Sequence, residues 1–284
     1  MRADADYLRK WVGRTETRTD EITRVPITAL AATLDRADTG SQAGDPLPPL
    51  WHWLYFLPVH LQSEIDDDGH PRRGGFLPPV PLPRRMWAGG RLQFLRPLQV
   101  GGIISRVSEI IDVSDKEGRT GSLVFVRVRH RISDDGGLAL EEEQDIVYRD
   151  KSQPDAPAAV RQAAPADHQW TREVRPDEVL LFRYSALTFN GHRIHYDRRY
   201  ATEVEGYPGL VVHGPLIATL LLELLRHNMP GSRVAAFSFR ALRPLFDVAP
   251  FSLCGRLESD NKTARLWAKA PDGGLAMEAT AGLV

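Results

Sequence analysis

Residues 183 to 197 read RYSALTFNGHRIHYD, which sets Asn190, His192, His195 and Asp197 within eight residues of one another. An imidazole with a pKa of about 6.5 takes up and returns protons near neutrality, and a positioned proton transfer is worth roughly 10² to 10⁴-fold in rate. An amide has no useful basicity, but its C=O and N–H₂ groups orient water or a ring. An aspartate before a turn caps the N–H groups that follow, which is the simplest role for Asp197. The segment is either a catalytic loop built around histidine or a polar turn that carries histidine for structural reasons. His213 has the same two readings, with packing or capping the commoner one.

A helix must follow this loop. In GLVVHGPLIATLLLELLRHNMP, residues 209 to 230, Gly214 is suited to the entry and Pro215 to the first helical position, where its missing N–H costs nothing. From Leu216 to Leu225 only Thr219 and Glu223 are polar, so the helix is apolar nearly all round and must be buried, and Pro230 ends it. Strand-like segments follow, separated by turn residues at 259–261 and 271–274.

Self-comparison shows a duplication. FLRPLQV at 94–100 resembles ALRPLFD at 241–247, and SDDGGLAL at 133–140 resembles APDGGLAM at 270–277, in the same order and at similar offsets. Two units are also what 284 residues suggest, at about 150 per domain. The expected boundaries are a first unit over 1–150, a Pro- and Ala-rich linker over 151–169, and a second unit over 170–284. A buried helix followed by an antiparallel sheet, repeated, is an α+β plan in which each sheet wraps round a central helix.

Composition narrows the function. A formal net charge of −1 argues against a nucleic-acid partner, which calls for a basic patch. Five lysines stand against 31 arginines, a bias that either base composition or recognition of phosphate or carboxylate explains. One cysteine, Cys254, excludes an internal disulfide, fits a reducing compartment and suggests no metal site. Without an apolar leader or a run of roughly 20 apolar residues, a cytoplasmic protein with no membrane partner is expected.

SALTFNGHRIHYDRRYA followed by GLVVHGPL resembles the signature of the MaoC-like hot-dog hydratases and dehydratases, which act on acyl-CoA or acyl-carrier-protein thioesters. That signature is a Gly-Asp-x-Asn-Pro-x-His-x-Asp loop ahead of a His-Gly helix start. His195 matches its catalytic histidine and Asp197 its trailing aspartate. Asn190 occupies the place of the catalytic aspartate, His192 that of the asparagine and Arg193 that of the proline. With RMWAGGRLQFLRPLQVG and EEEQDIVYR in the first unit, the chain resembles the double hot-dog branch of itaconyl-CoA and mesaconyl-C4-CoA hydratases and mitochondrial-type 3-hydroxyacyl-thioester dehydratases.

The resemblance implies water addition to an enoyl-CoA thioester, with coenzyme A as part of the substrate and no further cofactor. His195 is then the base, Asn190 orients the water or the imidazole, and the Gly214 N–H at the helix start receives the enolate oxygen. A free carboxylate on the acyl group would meet an arginine: Arg193 and Arg183 are near in sequence, and Arg84 and Arg85 could reach in from the first unit. His192 and His213 are further substrate-binding candidates. The first unit lacks the loop histidines and has Trp53 where the second has Gly214, so one site per chain is expected and His52 reads as structural. Three activities remain open: a hydratase for a C5 dicarboxylic enoyl-CoA leading to citramalyl-CoA, a fatty-acid-type dehydratase with GGFLPPVPLP lining an apolar tunnel, and a non-catalytic thioester binder. Assembly is open too, between a homodimer of double hot dogs and a chain whose duplication already satisfies hot-dog pairing.

Overall fold

Ten strands join edge to edge into one antiparallel sheet in the computed structural model, which describes residues 5–37, 41–118, 121–150 and 162–284. The first half carries α1 (Ala5–Arg9), β1 (Thr15–Glu21), α2 (Arg24–Thr33), β2 (Arg84–Phe94), β3 (Ile103–Gly118), β4 (Gly121–Asp134) and β5 (Gly137–Arg149). The second half carries β6 (Trp170–Val174), α3 (Glu178–Leu187), α4 (Gly214–Asn228), β7 (Val234–Ala241), β8 (Phe251–Leu257), β9 (Thr263–Lys269) and β10 (Leu275–Leu283). The strand order is β1-β3-β4-β5-β2-β7-β10-β9-β8-β6. Outward from the β2–β7 junction the two halves repeat one order, which is the duplication seen in the sequence.

The repeated motifs have a shared structural job. Arg96, just after β2, pairs with Asp134 at the β4–β5 turn, and Arg243, just after β7, pairs with Asp272 at the β9–β10 turn. Each arginine pins the turn of its own half. Strand alternation is clear in β4, where Val124, Val126, Val128, His130 and Ile132 all turn inward.

Helix α4 runs through the core with every residue from Leu216 to Leu225 buried. The two polar side chains of that stretch are satisfied: Thr219 Oγ1 donates to the Pro215 carbonyl at 2.8 Å, and Glu223 pairs with Arg36 at 3.1 Å and Arg226 at 3.0 Å. Among the described residues the first half has no counterpart of this length. Prolines 46, 48, 49 and 58 bracket the segment, and only one 3-10 turn, Trp51–Leu54, forms between them. The long connection from there to β2 crosses toward the second half.

The expected linker falls largely outside the described residues. Its last part is not free: Ala163 bridges Gly274, and the Gln169 N–H donates to the Gly255 carbonyl at 2.9 Å. Among the described residues no helix is long and apolar enough to cross a membrane.

Candidate active site

Asp177 caps α3 by accepting the Leu180 N–H at 2.7 Å, and the helix ends where Phe189 turns into the left-handed region at φ 49°. In the loop that follows, Asn190 Oδ1 accepts the His192 N–H at 3.0 Å. Asp197 accepts the Tyr200 N–H at 3.0 Å, the capping role expected of it, and also pairs with Arg193 at 2.7 Å. Arg193–His195 form a 3-10 turn that carries His195 into the interior.

The His195 Nδ1 lies 2.7 Å from the Val211 carbonyl. A carbonyl can only accept, so Nδ1 carries the hydrogen and Nε2 is left with its lone pair. The ring stacks on His213 at 3.7 Å between centroids and 17° between planes, and His213 immediately precedes the first residue of α4. The potential base therefore stands at the mouth of the buried helix. His213 Nε2 lies 2.8 Å from Ser185 Oγ, which ties this stack to α3.

Burial depresses these histidines. His195 falls to about 4, chiefly by loss of solvent, with the Val211 bond opposing and His70 reinforcing. His192 falls to about 2 for the same first reason, helped by His70 and His195, and His213 lies well below the usual histidine range. All three are neutral at pH 7, as a proton acceptor must be.

Gly214 has room around it. A methyl group there would find its nearest neighbours at 3.9 Å (the Trp87 carbonyl) and 4.0 Å (Met277 Cε), so the fold does not itself exclude a side chain. His195, Gly214 and Asn190 line one cavity of about 1120 Å³, large enough for an acyl thioester and part of its carrier. Phe76, Leu77 and Pro78 of the GGFLPPVPLP stretch line it as well.

The four candidate arginines separate. Arg183 is exposed on α3 and does not line the cavity. Arg84 is committed to Glu205 at 3.0 Å and covers Tyr207. Arg193 lines the cavity, but its guanidinium is engaged by Asp197, the Asp67 carbonyl and the Tyr200 face, so it holds loops together. Arg85 lines the cavity, raises the cost of protonating both His70 and His192, and belongs to none of the ion pairs among the described residues.

The first half contributes more than a passive wall. Trp53 and Trp87 meet at 4.9 Å and both border the cavity, while His52 is buried against Glu142 at 3.0 Å. Two residues that sequence reasoning missed, Asp68 and His70, also arrive here. Their rings and loops meet the second half directly: His70 lies 4.0 Å from His192 between ring centroids, and the Asp68 carbonyl accepts the Arg193 N–H at 2.9 Å. Asp68, His70 and His192 hold ligand atoms within 4.8 Å of one another, a spacing that could hold a metal ion, although Arg85 and Arg73 nearby oppose a cation. DDDGHP, at 66–71, is legible as a turn, but nothing in it announces a partner in the other half.

Comparison with known proteins shows the family and the fold. Residues 50–247 match the family described as hydroxyacyl-thioester dehydratase type 2. The chain is 51% identical over 282 residues to mesaconyl-C4-CoA hydratase of Chloroflexus aurantiacus, covering 99% of each. It is 30% identical to the mitochondrial hydroxyacyl-thioester dehydratase type 2 of Schizosaccharomyces pombe, covering 87% of this chain and 90% of that one. Among solved structures, a MaoC-like dehydratase of Phytophthora capsici superposes with a TM-score of 0.71 at 14% identity, covering 99% of each chain. A Mycobacterium tuberculosis protein described as a double hot dog does so at 0.58 and 13% identity, covering 96% of each.

Proposed function

We infer that this chain, which belongs to the hydroxyacyl-thioester dehydratase type 2 family of MaoC-like double hot-dog proteins, is a hydro-lyase that adds water to a dicarboxylic enoyl-CoA thioester. The C5 acyl groups of mesaconyl-C4-CoA and itaconyl-CoA fit this reading, with citramalyl-CoA as product. The observation that carries it is the neutral imidazole of His195, fixed by Val211 at the start of α4, in a cavity that also presents Arg85.

The His195 Nε2 accepts a proton from water as the oxygen adds to the β carbon. Charge moves to the thioester oxygen, which lies against the Gly214 N–H, one of the first-turn donors that no helical carbonyl satisfies. The helix dipole adds to this stabilisation, and the α carbon is then protonated. In mesaconyl-C4-CoA the carbon that receives the hydroxyl also bears the free carboxylate. The cation that reads that carboxylate must therefore sit beside the acid–base groups, as Arg85 does. Asn190 lines the cavity and its Oδ1 accepts the His192 N–H with one of two lone pairs, so the amide braces the loop and keeps groups with which to orient the water or the imidazole.

A fatty-acid-type dehydratase is the second reading, favoured by the family match and by the apolar lining at Phe76 and Leu77. Assays of mesaconyl-C4-CoA, crotonyl-CoA and a longer enoyl-CoA separate the two. The dicarboxylic substrate is expected to show the highest kcat/KM; preference for the long apolar chain would overturn this reading. An H195A protein should still bind thioester and lose turnover. Assembly as a homodimer of double hot dogs is part of the same reading, and a solution mass of one chain would exclude it.

A further inference from the structure

Hydration needs more than one acceptor. A water molecule presents two O–H bonds, and when both are held its oxygen lone pair points at the electrophilic carbon. His195 supplies one acceptor. Asn190, the polar group next to it in the loop, is an amide whose oxygen already takes the His192 N–H. That oxygen keeps one further lone pair, a weaker acceptor than a neutral imidazole nitrogen, so a second imidazole facing the cavity would hold the water better.

The first half delivers one. The turn at 66–70 is closed by the Asp66 N–H donating to the His70 carbonyl at 2.8 Å, with Gly69 at φ 87°. It is docked on the 190–197 loop by backbone contact so close that a methyl on Gly69 would lie 1.8 Å from the Gly191 carbonyl oxygen. The Asp68 carbonyl and the Asp67 carbonyl each accept from Arg193, both at 2.9 Å. On this platform Asp68 Oδ2 lies 3.0 Å from His70 Nδ1. The carboxylate assigns the hydrogen to Nδ1 and leaves the His70 Nε2 lone pair free. His70, His192, His195 and His213 then form a file of imidazoles, with successive ring separations of 4.0, 5.4 and 3.7 Å.

We propose that His70 is the second proton acceptor of the hydration site, with Asp68 as the residue that positions it, so that the active centre is assembled from both halves of the chain. This rests on the hydratase reading above. Water donates one O–H to His195 Nε2 and the other to His70 Nε2. The carbon–oxygen bond forms as the proton passes to His195, the π electrons move through the α carbon to the thioester oxygen, and that same proton returns to the α carbon as the enolate collapses. His70 gains no proton over the cycle and Asp68 stays ionised: burial raises its carboxyl, but the hydrogen bonds that it accepts from the His70 ring and backbone N–H outweigh burial and hold it below the usual range. The groups facing His70 are Asp68, Arg85, Arg73 and His192. Burial and then Arg85 lower His70, and Asp68 opposes them.

The test is steady-state kinetics on the full chain with mesaconyl-C4-CoA. H70N keeps an N–H within reach of Asp68 while removing Nε2, so it separates catalysis from loop support. We expect kcat to fall by about 100-fold or more with KM within about threefold, an unchanged thermal midpoint, and partial restoration of H70A by added imidazole. D68N should lower kcat with KM within about threefold, because it removes the carboxylate that fixes the His70 ring and its Nε2 direction. If the wild type turns over no enoyl thioester, the hydratase reading fails. If the wild type is active and H70N matches it, or loses only in KM, His70 is structural and the proposal falls. Inactivation of the wild type by a chelator, reversed by Zn²⁺, would make Asp68, His70 and His192 a metal site and overturn it equally.

Discussion

The rings of His195 and His213 stack at 3.7 Å, and this contact joins the loop that carries the base to the residue that begins the central helix. Because the two histidines are neutral, the stack carries no charge; protonating either one would place a charge against the other in a buried space. The proposed base and the first residue of α4 are thereby held beside each other.

The fold does not demand a glycine at 214, whereas the proposed chemistry does. A methyl group there meets only ordinary contacts at 3.9 and 4.0 Å, so G214A should fold with a thermal midpoint within a few degrees of the wild type. The same methyl would stand between the helix N–H and the thioester, and kcat/KM should drop by about 100-fold, the scale of one lost oxyanion donor. Unchanged kinetics would remove Gly214 from the mechanism.

Gly69 is the opposite case. Its φ of 87° and the 1.8 Å approach of a Cβ to the Gly191 carbonyl leave no relaxation short of undocking the turn. G69A is expected to lose most activity together with about 1–3 kcal/mol of stability. Denaturant midpoints and activity measured on one preparation check this, and a fully active, equally stable G69A would contradict the docked arrangement.

Arg85 should discriminate between substrates. A charge-assisted contact of about 1.5–3 kcal/mol corresponds to roughly 10 to 150-fold in binding. R85Q is therefore expected to raise KM for mesaconyl-C4-CoA by that order while leaving crotonyl-CoA within about threefold. Equal losses on both substrates would mean that Arg85 supports the site rather than reading a carboxylate.

Stability should fall in acid over a definite window. The folded-state pKa of His195 and of His130 is depressed to about 4 by burial, against an unfolded value of about 6.5. The unfolded chain binds protons first as pH drops, so stability is fully present above pH 6.5 and is lost progressively toward pH 4. Thermal midpoints measured from pH 7.5 to 4.5 should decline through that interval, and the acid limb of kcat should lie well below 6.5. A flat midpoint would show that these histidines are not buried neutral.

Several features were legible in the linear chain because their causes are local. The start of α4 follows from Gly214 and Pro215, its burial from the apolar run Leu216–Leu225, and the Asn190-to-His195 spacing from one short loop. The duplication survives in residues with a repeated job, since Arg96 with Asp134 and Arg243 with Asp272 tie equivalent turns. The first-half helix was over-read: its prolines were visible, but their combined effect in limiting the segment to one 3-10 turn shows only when the backbone is traced.

What the amino-acid order determined by itself is the histidine-bearing loop, the buried helix after it and the two-unit plan, because caps, periodicity and turn chemistry act over a few neighbouring positions. What only the tertiary structure decided is which distant groups complete the centre. Arg193 and Asp67 are 126 positions apart, and their contact exists because β2 and β7 pair and bring the two halves edge to edge. The same assembly leaves Arg85 in the cavity outside the ion pairs among the described residues, engages Arg84 and Arg193 with carboxylates and keeps Arg183 away, since side-chain direction along a strand and competition from nearby carboxylates are properties of the assembled sheet, not of spacing along the chain.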